Sequence, residues 1–285
     1  MASLPYGRYA KIGLMADNFP KDTSHFKLIV SDFDGTLAGA DHSVSSEVKQ
    51  AINKWQEKNR FTIASGRQFL MIGRDSRALE INTPLIVRGG AEIVDQQTGS
   101  VIYSQEINKQ MVKEFVDIIN LNGHGIMVEV KDTLYGNINY DTSEYPEVQL
   151  KSLDKLPFVD SPKINVRVQK NKVKEIEEFM EKIVMPKFPQ LHMVRSYNVL
   201  GMSWDVTSIK GTKNLAVLKL IKMLGINRED TVGVGDGYND FPLLEACGFK
   251  VAMGNANEEL KAIADVIVPS YEENGVAFLI DRLLK

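Results

Sequence analysis

The sequence predicts an α/β protein in which a parallel-sheet domain is interrupted by a smaller α+β domain. Three observations carry this expectation. Short apolar runs alternate with helical periodicities in the first and last thirds of the chain. Residues able to do chemistry follow several of those runs directly, where an open sheet binds its ligands. The middle third instead reads as strands joined by short turns, with antiparallel character. At 285 residues the chain is long enough for two domains.

The first unit is strand, helix, strand. Residues 27–30 read as a buried strand. Val48, Ile52 and Trp55 recur at helical spacing, with Ser45 placed as N-cap. Residues 61–64 form the next strand and end in Ser65-Gly66-Arg67. Residues 84–87 lead into Arg88-Gly89-Gly90, and residues 91–94 with 101–103 read as a hairpin around Gln97-Thr98-Gly99. In the middle, Met111, Val112, Phe115, Ile118 and Ile119 mark a helix. Residues 126–130 and 134–138 read as strands, and 140–162, with Pro146, Pro157 and Pro162, mainly as loop. Residues 164–168 follow as a strand, 173–183 as a helix, and 191–194 and 203–206 as strands. The last third alternates again. A helix over 215–224 is closed by Gly225. A strand over 231–234 leads to Gly235-Asp236-Gly237, and a short helix covers 243–246. A strand over 249–253, helix over 260–264, strand over 266–268 and closing helix over 276–284 complete it. The expected division is an N-terminal extension over 1–24, a core over 25–107 and 207–285, and an inserted α+β domain over 108–206.

Composition narrows the function. Net charge is −3, which gives no support for nucleic acid or an anionic membrane as the main partner. No run reaches the roughly 18 apolar residues of a membrane span. The patch Ile12-Gly13-Leu14-Met15-Ala16 is too short for a secretory signal. A single cysteine, Cys247, reads as a small core residue and forbids an internal disulfide. A cytoplasmic location is the expectation. The four histidines are scattered without zinc-ligand spacing.

Asp32 and Asp34 stand two residues apart, just after an apolar strand and before Gly35. Two ionised carboxylates this close repel each other. A bound cation removes the difficulty, so the pair suggests a metal site, and Asp32 suits a nucleophile. Ser65, Lys213, Asp236 and Asp240 lie at the same expected sheet edge, beyond strand ends or at helix starts. Carboxylates for a cation, with a hydroxyl and an ammonium for an anion, suit a phosphate plus Mg²⁺.

In chain order, Asp32-Phe33-Asp34-Gly35-Thr36-Leu37, Ser65 within Ala64-Ser65-Gly66-Arg67, Lys213, and Gly235-Asp236-Gly237-Tyr238-Asn239-Asp240 resemble the four motifs of the haloacid dehalogenase superfamily of phosphohydrolases. The interval from Leu37 to Ser65 is too short for a domain, whereas that from Ser65 to Lys213 admits one. This placement is similar to the Cof-type group, whose α+β cap lies between the second and third motifs. Val251 to Ala256 and Asn274-Gly275-Val276-Ala277 also resemble that group. One departure is Gly89-Gly90-Ala91, where the group often has Asn-Gly-Ala. Lys213, just after Gly211-Thr212, matches the family lysine; Lys210 reads as a solvated loop charge.

The resemblance implies a doubly wound, Rossmann-like core with an inserted α+β cap. It implies Mg²⁺-dependent hydrolysis of a small phosphate ester, commonly a sugar phosphate. Asp32 is then the nucleophile that becomes an aspartyl-phosphate, and Asp34 the general acid and base. Asp32, the Asp34 carbonyl and Asp236 hold Mg²⁺. Ser65 and Lys213 hold phosphoryl oxygens, Asn239 orients the phosphate, and Asp240 supports Lys213 or metal-bound waters. Two rival readings use the same scaffold: a phosphotransferase or mutase, and a non-catalytic regulatory protein. The oligomeric state stays open.

Plainer readings stand beside these. Ser65 alone reads as a helix N-cap. Arg67 reads as a surface or ion-pair residue of a first helical turn and is left out of the site. Gly233-Val234-Gly235-Asp236-Gly237 is a weak match to a dinucleotide fingerprint, since it lies near the C-terminus. Trp204 and Tyr197 suit either a substrate pocket or packing.

Overall fold

The computed structural model describes residues 18–39, 41–138, 143, 145–168, 172–198 and 201–285, with the side chains of Tyr197 and Asn198 not described. Most of the expected N-terminal extension, residues 1–17, lies outside the described residues, as does Tyr140.

The chain begins β1 (Leu28–Ser31), α1 (Ser46–Gln56), β2 (Arg60–Ile63), α2 (Phe69–Ala78), β3 (Leu85–Val87), β4 (Glu92–Val94) and β5 (Val101–Ser104). It continues through α3 (Lys109–Leu121), β6 (Gly125–Val130), β7 (Thr133–Gly136), β8 (Gln149–Ser152), β9 (Lys163–Arg167), α4 (Val173–Phe179), α5 (Met185–Lys187), β10 (Leu191–Asn198) and β11 (Gly201–Ser208). It closes with α6 (Lys213–Leu224), β12 (Thr231–Gly235), α7 (Phe241–Ala246), β13 (Phe249–Met253), α8 (Glu258–Ile263), β14 (Val266–Val268) and α9 (Gly275–Leu283).

The core sheet is parallel, in the order β14-β13-β12-β1-β2. Both faces are apolar, as a sheet covered on both sides requires. Ile29 packs with Ile52, Trp55 and Ile280 of α1 and α9. Its neighbours Leu28 and Val30 pack on the other face with Val217, Leu220 and Leu243 of α6 and α7. Ser45 caps α1 by accepting from the Val48 N–H at 3.1 Å, worth about 1 kcal/mol. Cys247 is fully buried beside α7, and burial pushes its thiol up to about 12. From β1 the chain moves to β2 on one side and later returns to β12 on the other. The carboxyl ends of β1 and β12 therefore border a topological switch point, where open α/β sheets bind ligands.

Residues between β5 and α6 build a second sheet, β10-β11-β9-β6-β7-β8, antiparallel except for β7 against β8. One face is apolar: Ile126, Val128, Ile164, Val166, Trp204 and Val206 pack on Phe115 and Ile119 of α3 and Ile176 of α4. The other face turns toward the core domain. Ties that cross the gap include Lys163 Nζ donating to the Gly66 carbonyl at 2.8 Å and Arg88 Nε donating to Glu129 Oε2 at 2.9 Å.

Several expectations need correction. Residues 140–162, expected mainly as loop, contain β8, which pairs with β7. All four β8 residues are exposed, so it lacks the apolar alternation that marks a strand. The expected helix over 173–183 is broken: a π-helical stretch, Met180–Val184, separates α4 from α5. Pro186 in α5 has no N–H to donate back into the preceding turn, and a widened turn accommodates that loss. The helix expected to start after Ser65 begins later, at Phe69, as α2. The hairpin is found as β4 and β5, joined by β3 in a small sheet.

Gly90 has φ +102°, and a Cβ there would fall 2.1 Å from the Thr212 backbone. The absent side chain lets this loop press against the start of α6, which carries Lys213. At Gly89, a Cβ would meet only Thr207 Cγ2 at 3.8 Å. The departure from Asn-Gly-Ala places glycine on a left-handed backbone at φ +70°, which glycine adopts freely.

Candidate active site

Asp32 follows β1 and its N–H donates to the Val234 carbonyl of β12 at 2.9 Å. The carboxylate is buried, 4% exposed as a residue. Gly35 turns the chain with φ +80°, and a Cβ there would lie 2.4 Å from Asp236 Oδ2. Only glycine lets the loop after β1 approach the loop after β12 this closely. Thr36 fastens the two loops, its Oγ1 donating to Asp236 Oδ1 at 2.9 Å.

Asp240 organises the loop after β12. Its Oδ2 accepts from the Asp236 and Gly237 N–H groups at 3.0 Å each, and its Oδ1 accepts from Lys213 Nζ at 2.7 Å. Lys213 is the first residue of α6, capped by Thr212. Its Nζ also donates to Asp32 Oδ1 at 2.6 Å. The ammonium thus bridges two buried carboxylates, and its own side chain is 2% exposed. Burial alone would lower the Lys213 pKa, but Asp240 and Asp32 outweigh it and raise it. Lys210 is exposed, as expected of a loop charge.

Burial pushes Asp32 well above the usual carboxylate range; Asp240, Asp236 and Asp34 add to the rise and Lys213 opposes it. Asp236 is pushed up to about 7, chiefly by burial and then by Asp240. Strain of this kind, in carboxylates held together without enough positive charge, is relieved by a cation. Carboxylate oxygens of Asp32, Asp236 and Asp240 lie within 4.8 Å of one another. Asp240 is already committed to Lys213 and two backbone N–H groups. Asp32 and Asp236 are therefore the carboxylates left to face an ion. All-oxygen donors with room for water or phosphate suit a hard divalent cation.

Asp34 opens into the cleft, its side chain 46% exposed, and is gripped by Arg67. Arg67 Nε donates to Asp34 Oδ2 at 2.8 Å, and Nη2 contacts both Asp34 Oδ1 and His42. The cost of enclosing Asp34 is outweighed by hydrogen bonds from His42 and Arg67, which hold its carboxyl below the usual range. Arg67 Nη1 also donates to Tyr145 of the inserted domain at 2.7 Å, and the guanidinium lies over the Phe33 ring at 5.1 Å. The ion-pair reading of Arg67 therefore holds, with Asp34 as its partner, but its place on a first helical turn does not: α2 starts only at Phe69, with Gln68 as its N-cap. Ser65 is likewise no helix N-cap. Its Oγ accepts from the Arg67 N–H at 3.1 Å, and the residue is buried at 1% exposure.

These groups border a cleft of about 560 Å³ between the core sheet edge and the second sheet. Asp32, Asp34, Asp236 and Asn239 line it from the core side. Gly66 lines it where Ser65 does not. Lys213 reaches instead a small recess shared with Asn239 and Gly66. Trp204 packs in the core of the second domain, 3% exposed, and lines neither space. The structure also brings in Lys163, Asn165 and Asp205 from β9 and β11. No motif marked them, but their alternation with Ile164 and Val166 is visible in the sequence.

Comparison with known proteins identifies relatives of this chain in sequence and in fold. The family model for haloacid dehalogenase-like hydrolases matches residues 29–280. Phosphatase YwpJ of Bacillus subtilis is 29% identical over 292 residues, covering 90% of this chain and 100% of that protein. YitU of the same organism, a 5-amino-6-(5-phospho-D-ribitylamino)uracil phosphatase, is 26% identical over 261 residues, covering 88% and 94%. A haloacid dehalogenase-like hydrolase structure from B. subtilis matches with a TM-score of 0.78 at 26% identity, covering 90% of this chain and 100% of that one. A haloacid dehalogenase subclass IIB sugar phosphatase matches with a TM-score of 0.75 at 24% identity, covering 90% and 98%.

Proposed function

The chain belongs to the haloacid dehalogenase-like hydrolases and is a phosphatase, and from that premise we propose that it hydrolyses small phosphate monoesters, sugar phosphates foremost, with Mg²⁺ and through a phosphorylated Asp32. The observation that carries this reading is the Lys213 ammonium clamped between Asp32 and Asp240, with Asp236 alongside, at the switch point of the sheet. Relatives named as a ribitylaminouracil phosphatase and a sugar phosphatase support the substrate class.

In this mechanism an Asp32 oxygen attacks phosphorus while the ester P–O bond breaks. Asp34 gives its proton to the departing alkoxide. A water then attacks the phosphorus of the aspartyl-phosphate, and Asp34 takes the proton back. Asp32 is regenerated and inorganic phosphate leaves. Lys213, Ser65 and Asn239 hold the transferring oxygens. Asp32, the Asp34 carbonyl and Asp236 would hold Mg²⁺, which would offset charge on the phosphoryl group. Arg67 keeps Asp34 aimed into the cleft; in the first half its grip must slacken, because it favours the ionised acid. Residues 108–206 act as a cap over a core made of 25–107 and 207–285, and Asp240 supports Lys213.

The test is phosphate release from p-nitrophenyl phosphate by the purified protein. Hydrolysis is expected with Mg²⁺, with loss of at least about tenfold on chelation with EDTA. Undiminished activity in EDTA would contradict the metal assignment. A sugar phosphate that isomerises without releasing phosphate would identify a mutase instead. No hydrolysis of any ester would favour the regulatory reading.

A further inference from the structure

Arg88 has φ +53°, on the left-handed backbone that L side chains rarely adopt, and it is only 5% exposed. A residue kept in such a conformation, with a buried charge, is held there by what it touches. The partners of Arg88 lie on both sides of the cleft.

On the core side Arg88 fastens the loop after β2. Its N–H donates to the Arg67 carbonyl at 2.8 Å, and the Gly89 N–H donates to the Ser65 carbonyl at 3.0 Å. Arg88 Nη2 donates to Gln68 Oε1 at 3.3 Å, and Nη1 to Glu92 Oε1 at 2.9 Å. On the side of the inserted domain, Nε donates to Glu129 Oε2 at 2.9 Å, and Nη2 also contacts the Lys131 carbonyl. The Gly66 carbonyl, between those of Ser65 and Arg67, accepts from Lys163 Nζ of β9 at 2.8 Å. Residues 65–68 are thus held partly by the core and partly by the inserted domain, and Arg88 belongs to both holds.

That loop carries two groups of the proposed chemistry. Ser65 meets phosphoryl oxygens, and Arg67 Nε grips Asp34 Oδ2 at 2.8 Å. A planar guanidinium engaged along several edges fixes direction as well as distance, which a flexible ammonium does not. Arg88 lines neither the cleft nor the small recess beside it, so any effect on the chemistry passes through the loop. Resting on the phosphatase reading above, we propose that Arg88 is a positioning residue. It transmits the seating of the inserted domain, through Glu129 and Lys131, to the loop over 65–68, and so sets the aim of Ser65 and Asp34 at the phosphoryl group.

Glu129 and Gln68 allow the transmission to be cut at either end. Both touch Arg88, and Gln68 Nε2 has no hydrogen-bond partner, so its amide donates nothing to Glu129. Hydrolysis of p-nitrophenyl phosphate with Mg²⁺ is measured for the wild type, Glu129→Ala, Gln68→Ala and the double variant, each checked by its unfolding transition. Each single change should lower kcat and kcat/KM alike, by about tenfold, because a small displacement of the loop weakens transition-state contacts. The double variant should also lose about tenfold, rather than the product of about 100-fold that independent effects give. Glu129→Gln, which keeps an acceptor for Nε, should recover most of the loss. Arg88→Lys, which keeps the charge without the fork, should fall to the level of the double variant. If the double variant does not fold, the loss in Glu129→Ala and its recovery in Glu129→Gln decide. Single variants that are less stable yet turn over at the wild-type rate would reduce Arg88 to a structural tie and overturn the proposal. Losses that multiply would overturn it too. Either result leaves the phosphatase reading standing, whereas a wild-type protein that hydrolyses no ester overturns both.

Discussion

Asp32→Asn should eliminate turnover, with kcat falling by on the order of 10⁴–10⁶-fold, as expected when the group that forms the covalent bond is removed. The amide is nearly isosteric and can still accept from Lys213 Nζ, so the fold should survive and the loss can be assigned to chemistry. Steady-state phosphate release checks this, with the unfolding transition of the variant as control. A drop of less than about 100-fold would be too small for a lost nucleophile and would match a group that only orients substrate.

Lys213→Met should have the largest effect on stability. It removes the one ammonium that touches both Asp32 and Asp240, each within 2.7 Å of Nζ. Two buried carboxylates are then left without their partner, at a cost of about 3–5 kcal/mol. The sign with pH follows. Asp32 without Lys213 has a folded-state pKa raised further above its unfolded value. The folded state then binds more protons than the unfolded one, and stability falls as pH rises. Urea denaturation should therefore show a larger deficit at pH 8 than at pH 5. Adding Asp240→Asn should recover part of the deficit, because it removes one stranded charge. Equal deficits at both pH values would show that Lys213 contributes mainly by packing.

The core was legible because its physics is local. Leu28, Ile29 and Val30 form a continuous apolar run, as a strand buried on both faces must, and Asp32 follows at the edge where that run ends. Asp236 was legible by the same rule, from Thr231 to Val234, and Lys213 from its match to the family lysine just after Gly211-Thr212. Arg67 was not. Its importance depends on where α2 begins, and Gln68, rather than Ser65, is the last extended residue. One turn of difference moves Arg67 from a helix surface to the Asp34 carboxylate. β8 was missed because Gln149–Ser152 buries nothing. The polar cleft face of β9 and β11 was missed for the opposite reason. Lys163, Asn165, Ser203 and Asp205 alternate with apolar residues as in any half-exposed strand, and only the tertiary structure reveals that the polar side is buried as well.

The most direct test is to find where phosphorus goes. The protein is mixed with Mg²⁺ and a radiolabelled phosphate monoester, quenched in acid within milliseconds, digested, and its peptides are mapped by label and mass. The account predicts one transient phosphopeptide spanning Asp32, formed before free phosphate appears and missing from Asp32→Asn. Label on any other residue, or phosphate released at full rate with no labelled protein at any time, would contradict it.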